Sequence, residues 1–220
     1  MHAGPGEPGV REKEGHPMTT ATETHETLAK ALWPTRADGG ALSPAVRAVL
    51  LVVAGSLLLT LSAKVQVPMW PVPMTMQTFA VLVIGAALGW RLGAAAVLLY
   101  LAEGAMGLPV FANAPERGLG LAYMMGPTGG YLIGFLVSAT VLGWLAERGW
   151  DRSVVGTLGG MTLGTAIIFG FGYVYLSTLI GPEAAWSAGV LPFLVGAALK
   201  IGLAAAVLPM AWKLVSRRGA

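Results

Sequence analysis

The sequence predicts an all-α integral membrane protein with six transmembrane helices and both termini on the cytoplasmic side. Three observations carry that expectation. Of 220 residues, 55% are hydrophobic and only 11% charged, against about 25% charged in an ordinary soluble domain. The mean hydropathy is +0.68. The charges are also crowded toward one end: 11 of the 25 charged residues, and all three His, fall in residues 1–47. Composition therefore divides the chain into a polar tail, 1–40, and an apolar body, 41–220. The tail is rich in Gly, Pro, Thr and Glu and reads as disordered. It has no apolar h-region, so it is not a signal peptide, and Met18 offers a second candidate start. Within it, 25–33 is expected to be frayed, with at most a short amphipathic turn placing Leu28, Leu32 and Trp33 on one side.

A helix needs about 20 apolar residues to cross a bilayer, and six segments of the body approach that length. The first is 45–63, with Ala and Val leading into a Leu-rich run. The second and third, 75–90 and 91–107, are both short and are joined almost without a loop. Gly89-Trp90-Arg91-Leu92-Gly93 makes that turn, because glycine permits the reversal and Trp-Arg suits an interface. The fourth, 127–147, opens on a cluster of glycines. The fifth, 154–180, carries Gly156-x-x-x-Gly160-x-x-x-Gly164, a small-residue spacing that reads as helix packing. The sixth is 191–215. With the N-terminus inside, the inner segments carry Arg36, Arg47, Arg91, Arg148, Arg152, Lys213, Arg217 and Arg218, while the outer loops carry only Lys64 and Arg117. That asymmetry fixes the orientation.

Whole classes of function drop out. With no Cys anywhere and no His in the body, thiolate chemistry, a His-based metal site and imidazole catalysis have no residues to work with. The body has no G-x-x-x-x-G-K-[ST] phosphate loop, no G-x-S-x-G and no H-E-x-x-H. We therefore expect no enzyme, no metal and no cofactor. The net charge of +3 reflects membrane topology and does not indicate nucleic-acid binding.

The outer loops, 64–74, 108–126 and 181–190, are longer and chemically richer than the inner ones. They hold Pro68, Pro71 and Pro73, the aromatics Trp70, Phe111, Tyr123 and Trp186, and Asn113. Rigid aromatic loops at one face point to a binding site open to the outside. Two ionisable residues, Glu103 and Lys200, lie within spans, each costing about 2.5–3.5 kcal/mol if left alone in hydrocarbon. Lys200 lies about 14 Å into the sixth helix at 1.5 Å per residue. It is expected to point up into an outward cavity that Glu103 also borders. The alternative is a purely structural Glu–Lys pair.

Four ordered motifs in 45–215 give the chain a resemblance. They are Leu61-Ser62-Ala63-Lys64-Val65-Gln66-Val67-Pro68 followed by Pro71-Val72-Pro73-Met74-Thr75-Met76-Gln77-Thr78; Gly107-Leu108-Pro109-Val110-Phe111-Ala112; Gly126-Pro127-Thr128-Gly129-Gly130-Tyr131; and Leu191-Pro192-Phe193-Leu194 running on to Lys200. Together they resemble the BioY family, the biotin-specific S components of energy-coupling-factor transporters. The resemblance implies a six-helix S-component fold, biotin capture at the outer face of a bacterial cytoplasmic membrane, and partners: a transmembrane coupling subunit with paired ATPases, or a homo-oligomer acting alone. It also places the ligand between the outer loops and the outer helix ends.

In the family the last helix usually begins Pro-Phe-x-x-Gly-Asp-x-x-Lys. Here the Lys is Lys200, but the Asp position is Ala197, which removes an acceptor for the ureido N–H groups of biotin. Glu103 is the expected substitute. Trp70, Phe111 and Tyr123, with Met124 or Met125, are expected to form the greasy slot. Asn113, Arg117 or nearby backbone N–H groups are expected to meet the carboxylate. For coupling, Ala41-x-x-x-Ala45 has the small-residue spacing, interrupted by Pro44. The alternative function is a stand-alone secondary carrier of another small carboxylate; a membrane enzyme is a more distant third.

Overall fold

The computed structural model describes residues 1–2, 25–33 and 42–218. The expected disorder of 3–24 and 34–41, the candidate start Met18 and the Ala41 end of the small-residue spacing lie outside the described residues. The elements are α1 (Leu28–Leu32), α2 (Pro44–Lys64), a strand pair β1 (Gln66–Val67) and β2 (Met74–Thr75), α3 (Gln77–Ala105), α4 (Gly120–Met124), α5 (Gly129–Ala146), α6 (Val154–Ile180), α7 (Pro182–Gly189) and α8 (Leu194–Arg218). Single 3₁₀ turns at Trp150–Arg152 and Leu191–Phe193 introduce α6 and α8.

Five segments are long and apolar enough to cross a membrane. One of them, α3, is not straight. Gly89 sits at φ 82°, ψ 173°, outside helical space. The chain folds back there, so that a Cβ on Gly93 would lie 3.0 Å from the Gly85 Cα, and Gln77 meets Tyr100 at the far end. The element is therefore a hairpin of two arms, 77–88 and 90–105, about 18 and 24 Å long. The arms fall within the 75–90 and 91–107 segments read from the sequence, with glycine making the turn, and the described residues hold five candidate spans where six were expected.

Helix packing follows the logic of lipid as solvent. On α2 the buried positions are Arg47 at its inner end, then Gly55, Ser56, Leu59, Ser62 and Ala63, whereas Val49, Val53, Leu57 and Leu61 are exposed. Small residues face protein and bulky ones face hydrocarbon, because packing rather than water exclusion drives association there. The Gly156/Gly160/Gly164 spacing is used at its two ends: Gly156 lies against the Trp150 backbone, and Gly164 against neighbouring helices. A Cβ on Gly164 would run into Leu82, Leu142 and Ser138. Ser138 Oγ donates to the Gly164 carbonyl at 3.1 Å, a contact of a kind contributing about 0.6–2 kcal/mol in membranes. Gly160 makes no comparable approach.

The two ends of the bundle differ. Arg47, Arg91, Arg148, Arg152 and Lys213 mark one end, and Lys64 and Arg117 the other; the positive-inside rule makes the first end cytoplasmic. Segment 25–33 is not frayed as expected but docked on that inner end. His25 N donates to the Glu147 carbonyl at 2.6 Å, Arg152 donates to the Glu26 carbonyl and Arg47 to the Ala29 carbonyl. Thr27 and Leu28 are buried, while Leu32 and Trp33 are exposed, so the three apolar residues do not share one covered side. The hydrogen bonds to backbone carbonyls, invisible in an apolar pattern, act together with Leu28, which is buried in the apolar core, to hold the segment.

Asp151 is buried on the inner end and accepts from the Trp212 indole at 2.7 Å through Oδ2, while its Oδ1 has no partner. Burial pushes its carboxyl above the usual carboxylate range, opposed by the Trp212 hydrogen bond. A raised native pKa means that the folded state binds the proton longer than the unfolded chain does. Stability therefore falls as pH rises from about 3.9, the unfolded value, through the folded value, and is flat above it. Asp151→Asn is accordingly expected to raise the Tm in detergent at pH 7, with the two proteins converging near pH 4. A lower Tm at pH 7 would contradict this.

Candidate ligand site

The outer end is built by short polar connections. Gln66 and Val67 pair with Thr75 and Met74 in a two-residue antiparallel ladder, and Met76 N donates to the Val65 carbonyl at 3.0 Å. That ladder inside the 64–74 loop escapes an apolar pattern too short to show alternation. It delivers Thr75 to the head of α3, where its Oγ1 accepts from Gln77 N at 3.2 Å. Lys64, at the end of α2, donates to the carbonyls of Phe111 at 3.0 Å and Ala114 at 3.2 Å. It thus ties down the connection after α3. The 181–190 stretch, read as a loop, is mostly the helix α7; Tyr131 Oη donates to the Gly189 carbonyl at 2.7 Å and pins it to α5.

Beneath these connections lies a cavity whose empty space, open mouth included, is about 590 Å³. Its walls are largely aromatic: Tyr100, Phe111, Tyr123, Tyr131, Phe135 and Phe193. Phe111 is fully buried, edge-on to Tyr100 (5.4 Å, 84°) and stacked on Tyr123 (4.7 Å, 15°). Tyr123 Oη donates to the Ala112 carbonyl at 2.8 Å. Burial raises the Tyr123 pKa, so the hydroxyl stays protonated.

Thr, Gln, Tyr and Lys side chains bring polar groups to this cavity. Lys200 Nζ donates to the Thr75 carbonyl at 2.6 Å and to Thr78 Oγ1 at 3.0 Å, which uses two of its three N–H groups. Gln77 Nε2 donates to Tyr100 Oη at 2.6 Å, and Tyr100 Oη in turn donates to the Val110 carbonyl at 3.4 Å. Ala197 lines the cavity one helical turn before Lys200.

Four of the residues expected from sequence thus converge: Phe111, Tyr123, Ala197 and Lys200. Two others stand just outside. Trp70 and Arg117 line a second, more superficial hollow of about 760 Å³ with Glu116; Tyr123 and Thr128 are shared between the two spaces. Arg117 lies 5.1 Å over the Trp70 ring and donates to the carbonyls of Pro71 and Met69, both at 3.0 Å. It holds the 68–71 segment in place and lends a positive charge to the vestibule. Trp70 is 78% exposed and is not part of the inner slot.

The remaining two are placed differently from expectation. Asn113 is in the left-handed region (φ 54°), and its Oδ1 accepts from Gln66 Nε2 at 2.6 Å. It braces the outer loops and does not line the cavity. Glu103 faces α2 and accepts from Ser56 Oγ. Helix geometry gives the reason. Val97, Tyr100 and Gly104 occupy the buried face of the second arm, and Glu103 is rotated about 100° from Gly104. Glu103 therefore neither pairs with Lys200 nor substitutes for the missing carboxylate at Ala197. Gln77 is named in the sequence only as a member of the Pro71–Thr78 motif, although it is one of only two Gln in the chain. Tyr100, in the middle of an apolar helix, gives no such signal.

A multi-pass helical bundle with a half-enclosed, aromatic-lined cavity under a braced outer cap has the architecture of a small-molecule-binding membrane protein. The BioY family model matches residues 29–217, and the chain belongs to the BioY family. It is 38% identical over 151 residues to the biotin transporter BioY of Thermotoga maritima, covering 68% of this chain and 86% of that one. It is 41% identical over 143 residues to the biotin transporter BioY of Rhodobacter capsulatus, covering 59% and 73%. The fold is similar to the crystal structure of the S-component for biotin from an ECF-type ABC transporter. The TM-score is 0.68 at 22% identity, over 79% of this chain and 95% of that one. The family is one of transporters, not of enzymes.

Proposed function

We propose that this chain captures biotin from outside a bacterial cytoplasmic membrane. It serves as the substrate-binding subunit of an energy-coupling-factor transporter. The observation that carries the reading is the cavity: a fused apolar bicycle fits a slot walled by Phe111, Tyr123 and their aromatic neighbours. The one cation at its edge, Lys200, has an N–H left for the ureido carbonyl. The valerate chain then runs toward Tyr123 and Thr128, bringing the carboxylate beneath the vestibule and the charge of Arg117. Trp70, above Arg117, shields that mouth, and Asn113 keeps the loop in shape. Transport against a gradient needs an energy source, and the sequence has no phosphate-binding loop. A membrane coupling subunit with ATPases supplies it; copies of this chain acting together without them would carry biotin only down its gradient.

Titration calorimetry of the purified chain alone, with desthiobiotin and lipoate as controls, tests the capture step. Saturable, submicromolar binding selective for biotin is expected. Absent or indiscriminate binding would mean that the change at Ala197 has redirected the protein to another small carboxylate.

A further inference from the structure

Binding biotin without the usual carboxylate poses a chemical problem. The ureido group offers two N–H donors and one acceptor, and a buried N–H left unpaired weakens binding severely. Position 197 is Ala and cannot accept. Glu103 faces another helix, away from the cavity. An acceptor must therefore come from somewhere else on the cavity wall.

We infer that Gln77 is the residue that replaces it, its side-chain oxygen accepting a ureido N–H of biotin. The hydrogen-bond chain orients the amide in this structure. Tyr100 donates to the Val110 carbonyl, so it accepts from the Gln77 nitrogen, and the amide oxygen is turned the other way. That oxygen accepts no hydrogen bond from any of the described residues. It is also absent from the sealed-off polar atoms among the described residues. Gln77 lines the cavity together with Ala197 and Lys200 while being only 4% exposed overall. An unpaired acceptor whose opening is into a ligand cavity awaits a donor. Lys200 donates and Gln77 accepts, so the pair presents to the ureido group the complementary set that a Lys and a carboxylate would present. The differences are charge and number: the amide has one acceptor oxygen where a carboxylate has two, and a neutral acceptor gives a weaker hydrogen bond than an ionised one.

This inference rests on the biotin reading, and the test separates the two. Biotin and an analogue methylated on its ureido nitrogens are titrated against four proteins: the unaltered chain, Gln77→Met, Gln77→Glu and Gln77→Met combined with Ala197→Asp. The unaltered chain is expected to prefer biotin over the methylated analogue. Gln77→Met is expected to lose at least tenfold in biotin affinity while its affinity for the methylated analogue changes little, so that the preference collapses. Gln77→Glu, which keeps an acceptor, is expected to retain the preference, and the double variant to recover it. If Gln77→Met binds biotin as the unaltered chain does, or loses both ligands equally without recovery in the double variant, Gln77 is not the acceptor. If the unaltered chain binds no biotin, the functional reading itself fails.

Discussion

Replacing Lys200 by Met is expected to weaken biotin binding by about 10- to 150-fold. A hydrogen bond to a charged donor contributes about 1.5–3 kcal/mol, and each 1.4 kcal/mol is a factor of ten in affinity. Met keeps the apolar stem and the volume, so the substitution removes the ammonium without opening a hole. The Thr75 carbonyl and Thr78 Oγ1 also lose their donor, and a modest fall in Tm accompanies the loss of affinity. Calorimetry and a thermal melt of the same preparation separate the effects. Unchanged affinity would remove Lys200 from the site.

Gly104→Ala is expected to damage both stability and binding, although Gly104 does not line the cavity. A Cβ there would overlap the Phe111 ring, and Phe111 is held between Tyr100 and Tyr123. Overpacking of this kind costs about 1–3 kcal/mol. The ring's way out is into the cavity, and disrupting its aromatic contacts, worth about 0.5–1.5 kcal/mol, lowers affinity by up to about tenfold. Combining Gly104→Ala with Phe111→Leu is expected to restore part of the Tm but not the affinity, because the slot then lacks its ring. Wild-type behaviour of Gly104→Ala in both assays would show that Phe111 has room the structure does not give it.

Much of this architecture is legible in the sequence because lipid imposes simple rules. Apolar length locates the spans, Lys/Arg asymmetry orients them, and the glycine at 89 announces the hairpin. The site is legible only in part. Lys200 could be found because a charge at membrane depth demands an explanation. Glu103 satisfied the same criterion and was misplaced, since depth says nothing about which face of a helix a residue occupies. Trp70, Asn113 and Arg117 were singled out for their chemistry, yet Asn113 and Arg117 spend hydrogen bonds on bracing loops, and Trp70 stands outside the slot. Those bonds span about 46 to 48 residues of sequence, beyond the reach of any local pattern. The docked segment 25–33 escaped for the same reason: its attachment includes hydrogen bonds to and from its backbone.

The central claim is that one cavity, bounded by Lys200, Gln77, Phe111 and Tyr123, holds biotin with its ureido ring inward. Determining the structure of the purified chain saturated with biotin tests it most directly. The account predicts ligand density between Phe111 and α8, the ureido carbonyl within hydrogen-bond distance of Lys200 Nζ and the valerate leading past Tyr123 toward Arg117. Density confined to the vestibule beside Trp70, or an empty inner cavity at saturating biotin, would contradict it.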